Sequence, residues 1–172
     1  GSTDFVAEEN GFTLVQHQQA VRGYLRGDII RRAMSCQDAA IFLSGSTGLL
    51  SGLFHHSLTE WSGLKAFLSL KVVFSAGTDD SETIRSHFNS TQREILGATD
   101  IVEELKAAFS QILLRIEEFL DNGSNWVVLE ISHLDIHIAR YQALRGGSTF
   151  VPLPPKLRSK HAIINVQNKD DK

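Results

Sequence analysis

Cysteine is almost absent from this chain. Cys36 stands alone, which excludes an internal disulfide and a cysteine-rich zinc site. The expected setting is therefore intracellular and reducing, nuclear or cytoplasmic. No stretch approaches the ~18 consecutive apolar residues that a membrane-spanning helix requires. No basic, apolar, small-residue signal sequence follows Gly1 and Ser2, which look like the remnant of a removed purification tag. A Walker loop, a dinucleotide fingerprint, a GxSxG elbow and a HExxH helix are all missing. The glycine-rich GSTGLLSG at Gly45 has no lysine where a phosphate loop needs one. No cofactor is expected, and the balance moves from familiar enzyme classes toward a non-enzymatic role.

What is present suits one core. The 172 residues are 42% hydrophobic and 22% charged, ordinary for a globular chain and too short to favour two domains. The expected organisation is a flexible leader over residues 1–10, an α+β domain over 11–141, and an extended, proline-containing basic tail over 142–172. The net charge of −3 is unevenly placed. Before Arg140 there are 10 Lys and Arg against 18 Asp and Glu, a balance of −8; from Arg140 onward there are 7 against 2, a balance of +5. Such a tail meets phosphate or an acidic partner, or folds back on its own body.

The periodicities give an element order. Phe12 to Leu25 carries β-compatible residues interrupted by glutamines and reads as a strand or hairpin. Ser35 and Asp38 form a capping pair before a helical spacing of Cys36, Ala40, Leu43, Thr47, Leu50 and Phe54. Gly45, Gly48 and Gly52 weaken that helix, so a close approach to a sheet or a break is expected there. Leu64 to Phe74 alternates strictly, with Leu64, Ala66, Leu68, Leu70, Val72 and Phe74 on one face. After the turn at Gly77 to Asp80, Thr83 to Leu96 is a more polar strand, expected at an edge. Asp100 and Glu103 open a helix along Val102, Leu105, Phe109, Ile112, Ile116 and Phe119, stopped by Asn122 and Gly123.

In Trp126 to Tyr141 the apolar parity switches from odd (Val127, Leu129, Ile131) to even (Leu134, Ile136, Ile138). This predicts a bulge or break near Ser132 and His133. Ala162 to Val166 is a further short strand candidate. The order strand, helix, strand, strand, helix, strand predicts a ferredoxin-like sandwich, with one sheet face left for a partner.

The segments RYQALRGGSTFVPLPPKLRSKHAIINVQNKDDK and GSNWVVLEISHLDIHIARY resemble a junction in proteins of Maverick or Polinton-type (adintovirus-like) mobile elements, associated with type-B DNA polymerase. The resemblance covers residues 123–172; before them only the pattern of helices and strands corresponds. In that family the segment like AIINVQNKDDK precedes a cysteine-containing block and, farther on, zinc-binding and polymerase regions. The resemblance implies an N-terminal portion of a transposon- or virus-derived polyprotein. It supplies no catalytic residue.

Three candidate sites follow from the residues. His133, Asp135 and His137 alternate on one side of the last strand, and imidazole with carboxylate suits zinc or manganese, as a metal-dependent nuclease would need. HLDIH departs from the two-histidine pattern of rolling-circle nucleases, and the polar side of a half-buried strand explains the alternation by itself. Lys65, Phe67 and Lys71 share the second face of the strongest strand, as in sheets that stack bases, although the glycine and paired aromatics of that signature are missing. Packing of Phe67 against a tail strand or another subunit is the plainer account. Lys156, Arg158 and Lys160 would bring the tail to phosphate. His55 and His56 are expected to complement a helix C-terminus, and Cys36 to be a buried, inert thiol. The expected function is an interaction domain of a transposon- or virus-derived replication protein, binding another protein, the same polyprotein or DNA. The alternatives are a metal-dependent nuclease and a self-associating module, a homodimer.

Overall fold

A computed structural model describes residues 7–20, 25–77, 79–122 and 125–141. The tail with Lys156, Arg158 and Lys160, the strand expected over 162–166 and the first six residues lie outside them. Seven strands are described, β1 (Ala7–Glu9), β2 (Phe12–Ala20), β3 (Leu25–Arg32), β4 (Gly63–Ala76), β5 (Asp79–Asn89), β6 (Arg93–Leu96) and β7 (Trp126–Arg140). Three helices join them, α1 (Ala39–Gly45), α2 (Thr47–Glu60) and α3 (Ile101–Leu120). The strands form one antiparallel sheet in the order β1-β2-β3-β7-β4-β5, with β6 also on β4.

The α+β class is as expected. The centre of the sheet is not the ferredoxin-like one. In a ferredoxin-like run of strand, helix, strand, strand, helix, strand, the first and third strands are central. Here the second and fourth, β4 and β7, are central, and the third, β5, lies at the edge. The cause is composition. β4 is apolar along the helix-covered face and buried down to Phe67, Ser69, Val73 and Ser75 of the other, and it is paired along both edges. β5 exposes Glu82, Thr83, Arg85 and His87 and tolerates an edge.

The leader expected over residues 1–10 is in part a strand. Asn10 and Gly11, with φ of 52° and 84°, make the two-residue hairpin turn between β1 and β2 that such a pair favours. Asp38 caps α1, its carboxylate accepting from the Ile41 N–H at 3.0 Å, and the helix breaks at Ser46 before α2. The glycines there are explained in part. A Cβ on Gly45 would lie 2.6 Å from the Phe12 ring, and one on Gly48 would meet the Glu9 carboxylate, whereas Gly52 has nothing within 4 Å.

Asp100 caps α3, accepting from the Glu103 N–H at 3.2 Å. Ile101, not Val102, begins its buried stripe. The expected polar strand is two strands, β5 and β6, both on β4, separated where the Ser90 hydroxyl accepts from the Leu68 N–H at 2.9 Å.

The predicted bulge is present. Lys71 pairs with His133 and Val72 with Ile131, so Ser132 is the extra residue, and the Ile131 N–H donates to the Cys36 carbonyl at 2.7 Å instead. A second irregularity, between Glu130 and Val128, was not foreseen. Even-numbered residues of β4 and of β7 beyond the bulge join the buried side chains of all three helices in one core; Ile29, Phe67, Val73 and Ala139, on the opposite face, are outside it. That opposite face carries no helix among the described residues.

Candidate functional site

Register places the candidate residues of β4 and β7 side by side on the face opposite the described helices. Lys71 pairs with His133, Ser69 with Asp135, and Phe67 with His137. Lys71 also pairs with His87 of β5, and Arg31 of β3 lines the same cavity as His133. Arg31, His133, Lys71 and His87 therefore form a row of basic side chains across four adjacent strands, roughly 14 Å from end to end at the usual strand spacing. The next row is Ile29, Asp135, Ser69 and Asn89, and the third is Gly27, His137 and Phe67.

Geometry holds the middle of this face in place. The Ser132 hydroxyl lies 2.8 Å from His133 Nδ1, and His133 Nε2 lies 3.5 Å from Asp135 Oδ1. Nε2–H donates to Asp135, and Nδ1 pairs with the Ser132 hydroxyl. Burial pushes the Asp135 carboxyl up, but the hydrogen bond and charge of His133, with His137 and Lys71, outweigh it and hold the group below its ordinary value. Asp135 is thus a carboxylate at neutral pH. A cavity of about 300 Å³ opens beside it, lined by Gly27, Ile29, Arg31, His133, Asp135 and His137 among others.

The three proposed metal ligands share a side of β7 without converging. Among the described residues no three His, Cys, Asp or Glu side chains form a group that could hold a metal ion. His133 and Asp135 approach to 3.5 Å, but the His137 ring lies flat on Phe67, with centroids 4.5 Å apart and planes 12° apart. The three do not fit a metal as arranged.

The base-stacking set is also divided. Phe67 is only 3% exposed, with the His137 ring stacked on it. Lys65 sits over the Tyr141 ring at 4.7 Å, near the other end of β4 from Lys71. The Tyr141 hydroxyl is raised by burial and by Glu94, which accepts its hydrogen bond.

Cys36 is buried, its thiol donating to the Asp38 carbonyl at 3.3 Å. His55 lies within α2, its Nδ1 donating to the Ser51 carbonyl at 2.8 Å, not at the helix end. Arg31, His87 and Gly27 were missed in the sequence. Strand parity alone would have put Arg31 on the Ile29 side, but only pairing reveals its neighbours.

No family model, no curated protein and no solved structure matches this chain. The site must be read from its own chemistry. No helix among the described residues is long and apolar enough to cross a membrane.

Proposed function

We propose that this chain is an interaction domain that holds a nucleic-acid strand along the sheet face opposite its described helices, as part of a replication protein of the mobile-element type that residues 123–172 resemble. The observation that carries this reading is the basic row of Arg31, His133, Lys71 and His87 across β3, β7, β4 and β5. Phosphates repeat along a strand, and the cations Arg31 and Lys71, with the imidazoles of His133 and His87 in the same row as hydrogen-bond donors, meet several of them at once, with release of counterions.

Fluorescence anisotropy with labelled single- and double-stranded DNA, repeated across a salt series, tests it. The expected result is salt-sensitive binding that weakens in Arg31→Glu and Lys71→Glu, with the logarithmic salt slope falling by about 0.7 for each single-strand phosphate contact removed. Binding lost only with Lys156, Arg158 and Lys160 would move the contact to the tail. No binding at low salt would overturn the reading in favour of a protein partner.

A further inference from the structure

We infer that proton uptake by His133 and His87 gates the nucleic-acid contact of this face, which takes up a strand in mildly acidic solution and releases it as the pH rises. This rests on the nucleic-acid reading and supplies its regulation.

The composition of the row carries the inference. Its members alternate between fixed cations and imidazoles: Arg31, His133, Lys71, His87. Histidine is the side chain whose charge ordinarily changes between about pH 5 and 8, whereas arginine and lysine keep theirs. Arg31 and His87, at the two ends of the row, are both exposed, and a strand laid along it meets them first.

Asp135 enlarges the change. Its carboxylate lies 3.5 Å from His133 Nε2 and acts on Lys71 as well. With both imidazoles neutral, two cations stand against one carboxylate; with both protonated, four stand against the same carboxylate. The charge that His133 acquires offsets Asp135. His87 has Lys71 across from it and Arg85 and Asn89 on either side along its own strand, so its charge meets no registered carboxylate among the described residues.

The other charges around the row are fixed in this range. Glu130 and Arg85, of opposite sign, flank Val73 in the adjoining row, and Glu8 lies beyond Arg31, across Thr13. One further imidazole, that of His137, acts on Asp135 and is stacked on Phe67. A phosphate beside an imidazole favours the protonated form, so binding and proton uptake reinforce one another. Each added cation also releases further counterions from the strand.

The experiment measures fluorescence anisotropy of a labelled oligothymidylate strand, whose bases do not titrate in this range, on the native chain at about pH 5.5 and 7.5 across a salt series. The expected result is binding roughly tenfold tighter at the lower pH, with the logarithmic salt slope steeper by about 0.7 for each added phosphate contact. His87→Gln together with His133→Gln is expected to remove most of this pH dependence and leave binding at the higher pH unchanged. Arg31→Glu is expected to weaken binding at both pH values and keep the dependence. Circular dichroism at each pH confirms the fold, and His87→Gln alone, at an exposed edge position, gives a partial loss that does not depend on the packing around His133.

Salt-sensitive binding of equal strength at the two pH values would overturn the gate and leave the basic row standing. So would a pH dependence that survives in the double variant or disappears with His161→Gln, which would place it in the tail. No binding at either pH overturns both readings.

Discussion

Arg26 and Asp28 are joined at two points inside the core, Nε to Oδ2 and Nη2 to Oδ1, each 2.9 Å. Two residues apart on β3, they face the helix-covered side, opposite Ile138 and Ile136. Their side chains are 5% and 0% exposed. Burial pushes the Asp28 carboxyl above its ordinary value, and the hydrogen bond and charge of Arg26, with His56, pull it back only in part. Replacing Arg26 with Ala is expected to cost about 3–5 kcal/mol, because a buried charge loses its partner. The double replacement by leucines is expected to cost far less. Urea unfolding of the three chains measures both.

The pair also has a pH signature. A carboxyl whose folded pKa is raised binds its proton more tightly when folded, so its contribution to stability is whole below the ordinary value of 3.8 and is lost as pH rises through the folded value. Without Arg26 that loss is expected to deepen.

Asp135 is expected to show the opposite dependence. Its folded pKa is lowered, so the protein binds that proton less tightly than the unfolded chain does. Its contribution is present above the ordinary carboxylate value of 3.8 and is lost as pH falls through the lowered one. The stability difference between the native chain and Asp135→Asn should shrink as the pH falls below about 4. Urea unfolding at a series of acidic pH values reads this directly; a difference independent of pH would contradict it.

Two glycines of the helical pair predict opposite outcomes. Gly45→Ala places a methyl group 2.6 Å from the Phe12 ring, itself packed edge-on against Phe42 with centroids 5.2 Å apart. The expected cost is about 1–3 kcal/mol, the usual range for overpacking. Gly52 is exposed within α2 and has nothing within 4 Å of its would-be Cβ. Gly52→Ala should therefore stabilise by about 0.5–1 kcal/mol through helix propensity. Thermal melts of the two variants should shift in opposite directions.

The readable features were local ones. The Asp100 cap and three-then-four spacing marked α3, and the change of parity around Ser132 marked a bulge before any partner strand was known. The Asn10–Gly11 pair marks its hairpin turn in the same local way, but only pairing shows that Ala7–Glu9 before it is a strand. Val102 and Ile101 are adjacent and both apolar, so periodicity alone did not show which faces inward; Val102 is 42% exposed and Ile101 5%.

The site was legible only by halves. Alternation placed His133, Asp135 and His137 on one side of a strand, and Lys65, Phe67 and Lys71 on one side of another. It did not show that the two sides are the same face, or that Phe67 is covered by His137.

The sequence by itself determined β4, α3 and β7 with its bulge, because period, caps and turn residues act over a few neighbours. Tertiary structure decided which strands lie at the centre: β4 and β7 are paired along both edges, whereas the polar β5 is at the end of the order, where a strand edge that faces solvent is tolerated. It also decided which side chains meet, because register brings together residues such as Lys71 and His133 that are far apart in the chain.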